Sequence, residues 1–196
     1  MIVNHSHLQM ADTPPKVLAE PLNRLWQYWR SLSQQTRKMV PAKSDIRIGG
    51  LGATLPNIVI SERIGPDEVL VRLAGSAMEE MTGKPLAGIN LLDLTPPSQR
   101  EGIAKVYNNL FSLPCGFHIA ESLRADGGKK LVLAALVLPL LSEDGDARFT
   151  VGQYSITRNG FEDIGINAGA VIEHRQIDVL GYIDVGFGLP ENHLTD

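Results

Sequence analysis

The feature that most constrains the fold is an apolar run of eleven residues, 131–141. The run contains no polar side chain, and its one break in aliphatic character is Pro139. A strand with one face in water alternates apolar and polar residues, so a continuous run is typical of a strand covered on both faces. Eleven residues are also too few to cross a bilayer as a helix. The run therefore predicts a central strand, with Pro139 near its end or at a bulge because proline cannot donate to a ladder.

Turn sequences on both sides of this run predict further strands. Asp126-Gly-Gly128 and Asp144-Gly-Asp146 favour tight turns. A third turn, Gly65-Pro66-Asp67, joins two earlier strands into an antiparallel hairpin. The five predicted strands are residues 58–62, a strand that begins at Val69, and residues 117–123, 130–140 and 147–157.

The second strand leads through Gly75 into a short predicted helix. Ser76 followed by Glu79 has the spacing of a capping box, in which each side chain accepts a backbone N–H of the first turn. Gly83 is suited to the left-handed position that ends a helix. The sequence therefore predicts a compact corner of strand and helix.

Two more helices are predicted between the hairpin and the last three strands. Asn90 is a favourable N-cap for one turn through residues 91–94. Thr95-Pro96 starts a longer helix that ends near residue 111. Its apolar side at 3.6-residue periodicity consists of Ile103, Val106, Tyr107, Leu110 and Phe111. The order of elements predicts an α+β domain with a five-stranded antiparallel sheet and helices on one face.

An amphipathic helix is predicted at the N-terminal side, starting near Pro21. Its apolar stripe comprises Leu22, Leu25, Trp26, Trp29 and Leu32. Two indoles on a short helix are costly to leave in water. The stripe is expected either to pack on the chain's own sheet or to form a dimer interface with a second copy, and the two alternatives can coexist.

These patterns divide the chain into four parts. Residues 1–20 are expected to form a mobile tail, residues 21–57 the N-terminal helix and an irregular crossing, and residues 58–157 the folded core. Residues 158–196 form an extension in which apolar residues alternate from 177 to 187. This extension is expected either to lengthen the sheet or to exchange with another subunit.

Charge and cysteine content narrow the functional classes. The formal charge of −4 is divided between +5 over residues 16–47 and −9 elsewhere. Aromatic residues are not interleaved with the basic ones as in single-strand binders, so no nucleic-acid partner is expected. A single cysteine, Cys115, excludes an internal disulfide. With no secretory signal evident, the expectation is a soluble cytoplasmic protein without a membrane partner.

The order of these segments resembles a small bacterial PAS-like family. The resemblance covers roughly residues 22–157. It is carried by the aromatic helix with Leu25-Trp-Gln-Tyr-Trp29, the loop Val40-Pro-Ala-Lys-Ser-Asp45, the corner at 69–83, Gly88, the long helix and Leu138-Pro-Leu-Leu141. It implies a PAS-like sheet with short helices on one face.

The resemblance also implies a ligand cavity between the sheet and the long helix. The matching positions are Met78, Met81, Tyr107, Phe111, Phe117 and Leu133. The polar groups expected to orient a ligand are Arg72, Tyr107 and His118, because pockets are mostly apolar with few polar anchors. Cys115 does not occur in a loop like the Asn-Cys-Arg-Phe loop of flavin-binding photosensory relatives, and the long helix lacks the histidine expected of haem-binding relatives. No cofactor is therefore predicted. His5 and His7 have a spacing that a metal can use but lack a nearby cysteine or carboxylate partner, so no metal site is predicted.

The leading hypothesis is a non-enzymatic sensory or adaptor module in bacterial signal transduction. The family resemblance makes a small ligand, a homodimer through the N-terminal helix, and a histidine kinase or second-messenger enzyme the expected partners. One alternative is a small enzyme in which Tyr107, His118 and either Asp93 or Glu121 perform acid–base chemistry. Another is a purely structural dimerisation module with a filled interior.

Overall fold

The computed structural model describes residues 20–125, 129–158, 161–162 and 172–191. Its α-helices are α1 (Glu20–Thr36), α2 (Ile48–Leu51), α3 (Ser76–Thr82) and α4 (Pro97–Ser112). Its strands are β1 (Ile58–Gly65), β2 (Glu68–Ala74), β3 (Cys115–Ala125), β4 (Lys129–Leu141), β5 (Ala147–Arg158), β6 (Phe161–Glu162) and β7 (Ile172–Asp184). Short 3-10 helices occupy Lys43–Asp45, Gly52–Asn57 and Leu91–Leu94.

The strands form one antiparallel sheet in the order β2-β1-β5-β4-β3-β7, with the short β6 beside β5. The α+β class and all five predicted strands are confirmed. The extension adds a strand that the five-strand prediction did not include, because β7 pairs with β3 from Cys115↔Asp184 to Ala125↔Ile172. Of the two alternatives for this segment, the structure shows extension of the chain's own sheet.

The apolar run is the central strand that its composition predicts. Alternate residues of β4 pack on opposite faces: Leu136 and Leu138 join the core beneath α1, whereas Ala135 and Val137 join the core beneath α4. All four are at most 1% exposed. Pro139 lies two residues beyond Val137, where the pairing of β4 with β3 ends. The missing N–H of the proline is therefore not required by β3.

Helix α1 packs on the face of the sheet opposite to α3 and α4. Its stripe is buried in the core that contains Ile58, Leu136 and Leu138. The indole Nε1 of Trp29 donates a hydrogen bond of 2.9 Å to the carbonyl oxygen of Pro139. The ring of Trp26 stacks on that of Trp29 with centroids 6.1 Å apart.

This packing is one of the two alternatives expected for the stripe, and the dimer interface stays a prediction. Its five residues are no more than 7% exposed within the single chain: Leu22, Leu25, Trp26, Trp29 and Leu32. Apolar side chains that are already removed from water gain nothing from a second copy. The alternative of packing on the chain's own sheet is the one that the structure shows.

The crossing between α1 and β1 is more ordered than the predicted irregular segment. It contains α2 and two 3-10 helices. The Tyr28 hydroxyl accepts a hydrogen bond of 2.8 Å from the Arg47 backbone N–H, which fixes the start of α2. A Cβ at Gly50 would lie 2.5 Å from the Tyr28 ring, so this glycine permits close packing.

The turn at 126–128, the residues 1–19 of the expected tail, and the histidines at 5 and 7 lie outside the described residues. None of the helices within the described ranges combines the length and apolar character that a membrane crossing requires.

Candidate functional site

The corner after β2 positions one side of a cavity. Gly75 donates its backbone N–H to the carbonyl of Ile58 at 2.8 Å. A Cβ on Gly75 would lie 2.2 Å from the Leu55 carbonyl oxygen and 2.3 Å from that of Pro56. Only glycine allows β2 to turn against this backbone, and α3 starts immediately afterwards. Gly83 ends α3 with a φ of 68°, as predicted.

The predicted capping box at the start of α3 is wrong. No side chain caps this helix, and Gly75 occupies its N-cap position. The Oε1 atom of Glu79 instead accepts a hydrogen bond of 3.1 Å from the backbone N–H of Leu86. The carboxylate therefore ties α3 to the loop that follows it, because a buried backbone donor in that loop needs a partner.

Two asparagine side chains position the second helical side of the cavity. The Oδ1 atom of Asn90 accepts from the backbone N–H groups of Val69 and Leu92, at 3.1 Å and 3.2 Å. This confirms Asn90 as the cap of the 3-10 turn at Leu91–Leu94 and also joins that turn to β2. The Nδ2 atom of Asn108 donates to the Pro66 carbonyl at 2.9 Å, which joins α4 to the β1–β2 turn.

Between these helices and the sheet lies a cavity of about 860 Å³. This volume is within the range of small-molecule sites, roughly 300–1,000 Å³. The inner face of the sheet lines it from below through Val59, Val71, Phe117, Ile119, Leu133 and Ala135. Residues of α3, of the following loop and of α4 line the rest, including Met78, Met81, Leu86, Ile103 and Tyr107.

Aromatic packing defines the α4 side of the cavity. The ring of Tyr107 meets that of Phe117 edge to face, with centroids 5.4 Å apart, and stacks with Phe111 at 6.3 Å. Burial raises the pKa of Tyr107 well above its ordinary value, and the neighbouring Tyr154, which is hydrogen-bonded to it, raises it further. The Tyr107 hydroxyl consequently keeps its proton at neutral pH.

Five of the eight predicted ligand-binding residues line this cavity: Met78, Met81, Tyr107, Phe117 and Leu133. Arg72, Phe111 and His118 are not among the lining residues. The Nε atom of Arg72 pairs with Glu62 at 2.7 Å, so its guanidinium is held by a neighbouring strand. Phe111 lies one turn beyond Tyr107, where it packs in the core behind the cavity.

His118 lies on the opposite face of the sheet from the cavity. It follows Phe117 in β3, and successive strand residues point to opposite faces. Its ring occupies the space beside Gly181 of β7, where an added Cβ would lie 2.5 Å from Nε2. Burial lowers the pKa of His118. The acid–base alternative placed Tyr107 and His118 in one pocket, and this separation removes its histidine.

The polar side chains that line the cavity outside the predicted set include two on the sheet, Glu121 and Tyr154. Glu121 is 1% exposed and lies on the same face of β3 as Phe117 and Ile119. Strand parity from Phe117 could have identified it, because residues 117, 119 and 121 share a face. From the sequence, Glu121 was predicted only as a possible acid or base, and Tyr154 only as a member of the strand at residues 147–157.

Cys115 is fully buried at the start of β3 and does not belong to the cavity. Burial raises the pKa of its thiol to about 12, with a further contribution from the Asp184 carboxylate. A thiol that is both buried and protonated is unreactive. Burial and a raised pKa are typical of a cysteine that serves packing.

Comparison with known sequences identifies the family that has this arrangement of sheet and helices. A profile of the PAS domain matches residues 17–155, which is well over half of the chain. The chain belongs to the PAS domain family. The match includes α1, both cavity-forming helices, the strands β1 to β4 and most of β5, while β7 lies beyond it. Among curated proteins, no sequence match was found.

The solved structures to which this chain is similar include light-oxygen-voltage domains. One, studied with a flavin analogue, is 18% identical with a TM-score of 0.43, over 57% of this chain and 84% of the other. The light-state structure of the LOV domain of the blue-light photoreceptor Aureochrome1 is 19% identical with a TM-score of 0.41, over 58% of this chain and 91% of the other.

Proposed function

We propose that the protein is a sensory or adaptor module in bacterial signal transduction, in which a small organic ligand occupies the cavity. The PAS fold is typical of sensory modules rather than of enzymes. The observation that carries the proposal is the cavity of about 860 Å³ between the sheet, α3 and α4. A filled structural module would bury these side chains against one another and leave no such volume.

The proposed output is protein contact, with a histidine kinase or a second-messenger enzyme as the class of partner. Strand β4 favours such coupling because it connects the cavity lining on one face of the sheet to α1 on the other face. Ala135 and Val137 contact the cavity side, while Leu136 and Leu138 of the same strand contact α1. A ligand that shifts β4 would therefore change the packing of α1.

Two neighbouring alanines provide a matched test of the cavity. Ala135 is fully buried and lines the cavity, whereas Ala134 belongs to the α1 face. Ala135→Leu adds three carbon atoms inside the cavity, and Ala134→Leu adds the same atoms outside it. We expect Ala135→Leu to weaken binding of the neutral dye N-phenyl-1-naphthylamine by about tenfold or more, since a tenfold change is 1.4 kcal/mol. Ala134→Leu should leave the dye affinity unchanged.

Fluorescence titration measures the dye affinity, and circular dichroism verifies that both variants are folded. Native mass spectrometry of the protein as purified adds an independent measurement, since a retained ligand appears as extra mass. Equal dye binding by the two variants, or no dye binding by the unmodified protein, would contradict the proposed ligand cavity.

A further inference from the structure

The depth and the pairing of the charged groups around the cavity specify the charge of its ligand. The described lining residues include one lysine and two acidic residues, namely Lys84, Asp93 and Glu121. Lys84 and Asp93 are exposed, and Asp93 forms an ion pair of 3.3 Å with Arg100. Water screens exposed charges of this kind, so they contribute little to what the interior selects.

Of these three residues, Glu121 lies away from solvent. It is 1% exposed, and it is paired with Leu133 across the ladder of β3 and β4. Glu121 already has a polar or electrostatic partner within the protein, as a carboxyl group removed from water requires. A cationic ligand that used this carboxyl group as its counter-ion would compete with that partner.

Two tyrosine hydroxyls provide uncharged polar groups for a ligand. Tyr107 and Tyr154 both line the cavity, and their hydroxyls are hydrogen-bonded to each other. Burial raises the pKa of Tyr107 well above its ordinary value, so this hydroxyl is neutral at pH 7. Because a hydroxyl oxygen has two acceptor positions, the pair can still accept a hydrogen bond from an uncharged ligand.

Much of the remaining lining is apolar and adaptable. Met78 and Met81 contribute flexible thioethers, which fit ligands of irregular outline. Val59, Ile119 and Leu133 contribute aliphatic surface from the sheet. Such a lining removes an apolar body from water and leaves its orientation to a few polar groups.

A charged ligand would enter this interior at a large cost in hydration. That cost is recovered only where an opposite charge in the protein is free to pair with the ligand. The described lining contains no buried lysine or arginine to receive an anion, and the buried carboxyl group of Glu121 is engaged within the protein. A neutral molecule does not incur this cost.

We propose that the cavity selects an uncharged, largely apolar organic molecule, with a hydroxyl or carbonyl group as its polar part. This inference rests on the proposed ligand cavity and adds the charge of its ligand. Carboxylates and amines of the same size are both rejected, because each would leave a buried charge without a free counter-ion.

Three probes that share one ring system and differ in charge test the proposal: 1-naphthylmethanol, 1-naphthylmethylamine and 1-naphthoate. Isothermal titration at pH 7 compares the neutral alcohol with the cationic amine and the anionic carboxylate. The Kd of the alcohol should be at least about tenfold lower than that of either ion, a difference of 1.4 kcal/mol.

A cation introduced into the lining tests the cause of this ranking. Met81 lies on α3, lines the cavity and is partly buried, so Met81→Lys supplies a positive charge there. It should lower the Kd of 1-naphthoate at least about tenfold, because the carboxylate then gains a counter-ion. The control Ser76→Lys adds the same charge at an exposed position of α3 outside the lining, and it should leave this Kd unchanged.

The outcomes separate the preference for a neutral ligand from the cavity itself. Binding of either ion as tightly as the alcohol, or an equal gain for 1-naphthoate in both lysine variants, would overturn the neutral-ligand proposal while the cavity stands. Failure of all three probes on the unmodified protein would overturn the cavity as well. Should Met81→Lys not fold, the ranking of the probes on the unmodified protein still decides the question.

Discussion

At the scale of single residues, Gly75 is the position on which the cavity depends most directly. Its φ of −74° is ordinary for any residue, so the requirement for glycine comes from space rather than from conformation. The carbonyl oxygens of Leu55 and Pro56 approach the place where a side chain would begin. These rigid backbone atoms cannot rotate away, in contrast to the end of a flexible side chain.

Gly75→Ala should therefore destabilise the protein by about 2 kcal/mol or more, as is typical of strained core positions. Gly102→Ala is the matched control, because this exposed glycine in α4 has no atom within 4 Å of an added Cβ. It should stabilise the protein by about 0.5–1 kcal/mol through a less flexible unfolded chain. Urea unfolding measures the free energy of unfolding of both variants. Similar changes at the two glycines would contradict the close packing around Gly75.

Cys115 predicts a dependence of stability on alkaline pH. The folded state raises its pKa from 9.0 to about 12. The resulting stabilisation is fully present below pH 9, and it is lost as the pH rises from 9 towards 12, because the unfolded thiol then loses its proton while the folded thiol keeps it.

The free energy of unfolding should consequently fall between pH 9 and 12, and less steeply in Cys115→Ala. Tyr107 also has a raised pKa, so Tyr107→Phe serves as a second comparison for the part of the slope above pH 10. In addition, iodoacetamide at pH 8 should label Cys115 only after denaturation. Rapid labelling of the folded protein would show that the thiol is accessible.

At the scale of elements, the docking of α1 depends on two indoles with unequal hydrogen bonding. Trp29 donates to the Pro139 carbonyl. The Nε1 atom of Trp26 is buried and has no hydrogen-bond partner among the described residues. The two rings are stacked and similarly buried. The difference in stability between substitutions at the two positions therefore isolates the contribution of one hydrogen bond.

Trp29→Phe should cost about 2 kcal/mol, because it removes a hydrogen bond and leaves a buried carbonyl unpaired. Trp26→Phe should cost at least about 1 kcal/mol less, since the loss of an unpaired donor offsets part of the lost apolar contact. Chemical denaturation of the two variants compares them directly. A larger cost at Trp26 would mean that its indole nitrogen has a partner in solution.

At the scale of the whole molecule, the sheet has a core on each face, and α1 completes one of them. Burial of each large apolar side chain contributes about 1.5–3 kcal/mol. Five such residues on α1 together approach the entire stability of an ordinary domain, roughly 5–15 kcal/mol. The helix is therefore part of the fold rather than an appendage to it.

A chain shortened to start at Lys38 tests this conclusion. Without α1, the apolar face formed by Ile58, Leu136 and Leu138 would be exposed. We expect the shortened protein to lose its cooperative unfolding transition and to bind the dye 1-anilinonaphthalene-8-sulfonate, as partly packed states do. A cooperative transition in the shortened chain would instead favour a detachable helix that is free to pair with a second copy.

The sequence by itself determined the order of the elements and the central position of β4. Periodicity identified the apolar side of α4, and the run at 131–141 required cover on both faces, because these patterns reflect local geometry and burial. The five predicted residues that line the cavity include Met78 on α3 and Tyr107 on α4, and their choice follows from that same order together with the family resemblance.

Only the tertiary structure decided which surfaces meet. Helix periodicity identifies the apolar face of α1 but carries no information about what covers it. Whether that face packs on the chain's own sheet depends on long-range packing. Strand parity alone puts Glu121 on the face of Phe117 and His118 on the other face, but which of the two faces meets α4 depends on the register of β3 against its neighbours. The Glu79 carboxylate accepts a hydrogen bond from the Leu86 backbone rather than from its own helix, because only the folded chain brings this backbone donor within reach.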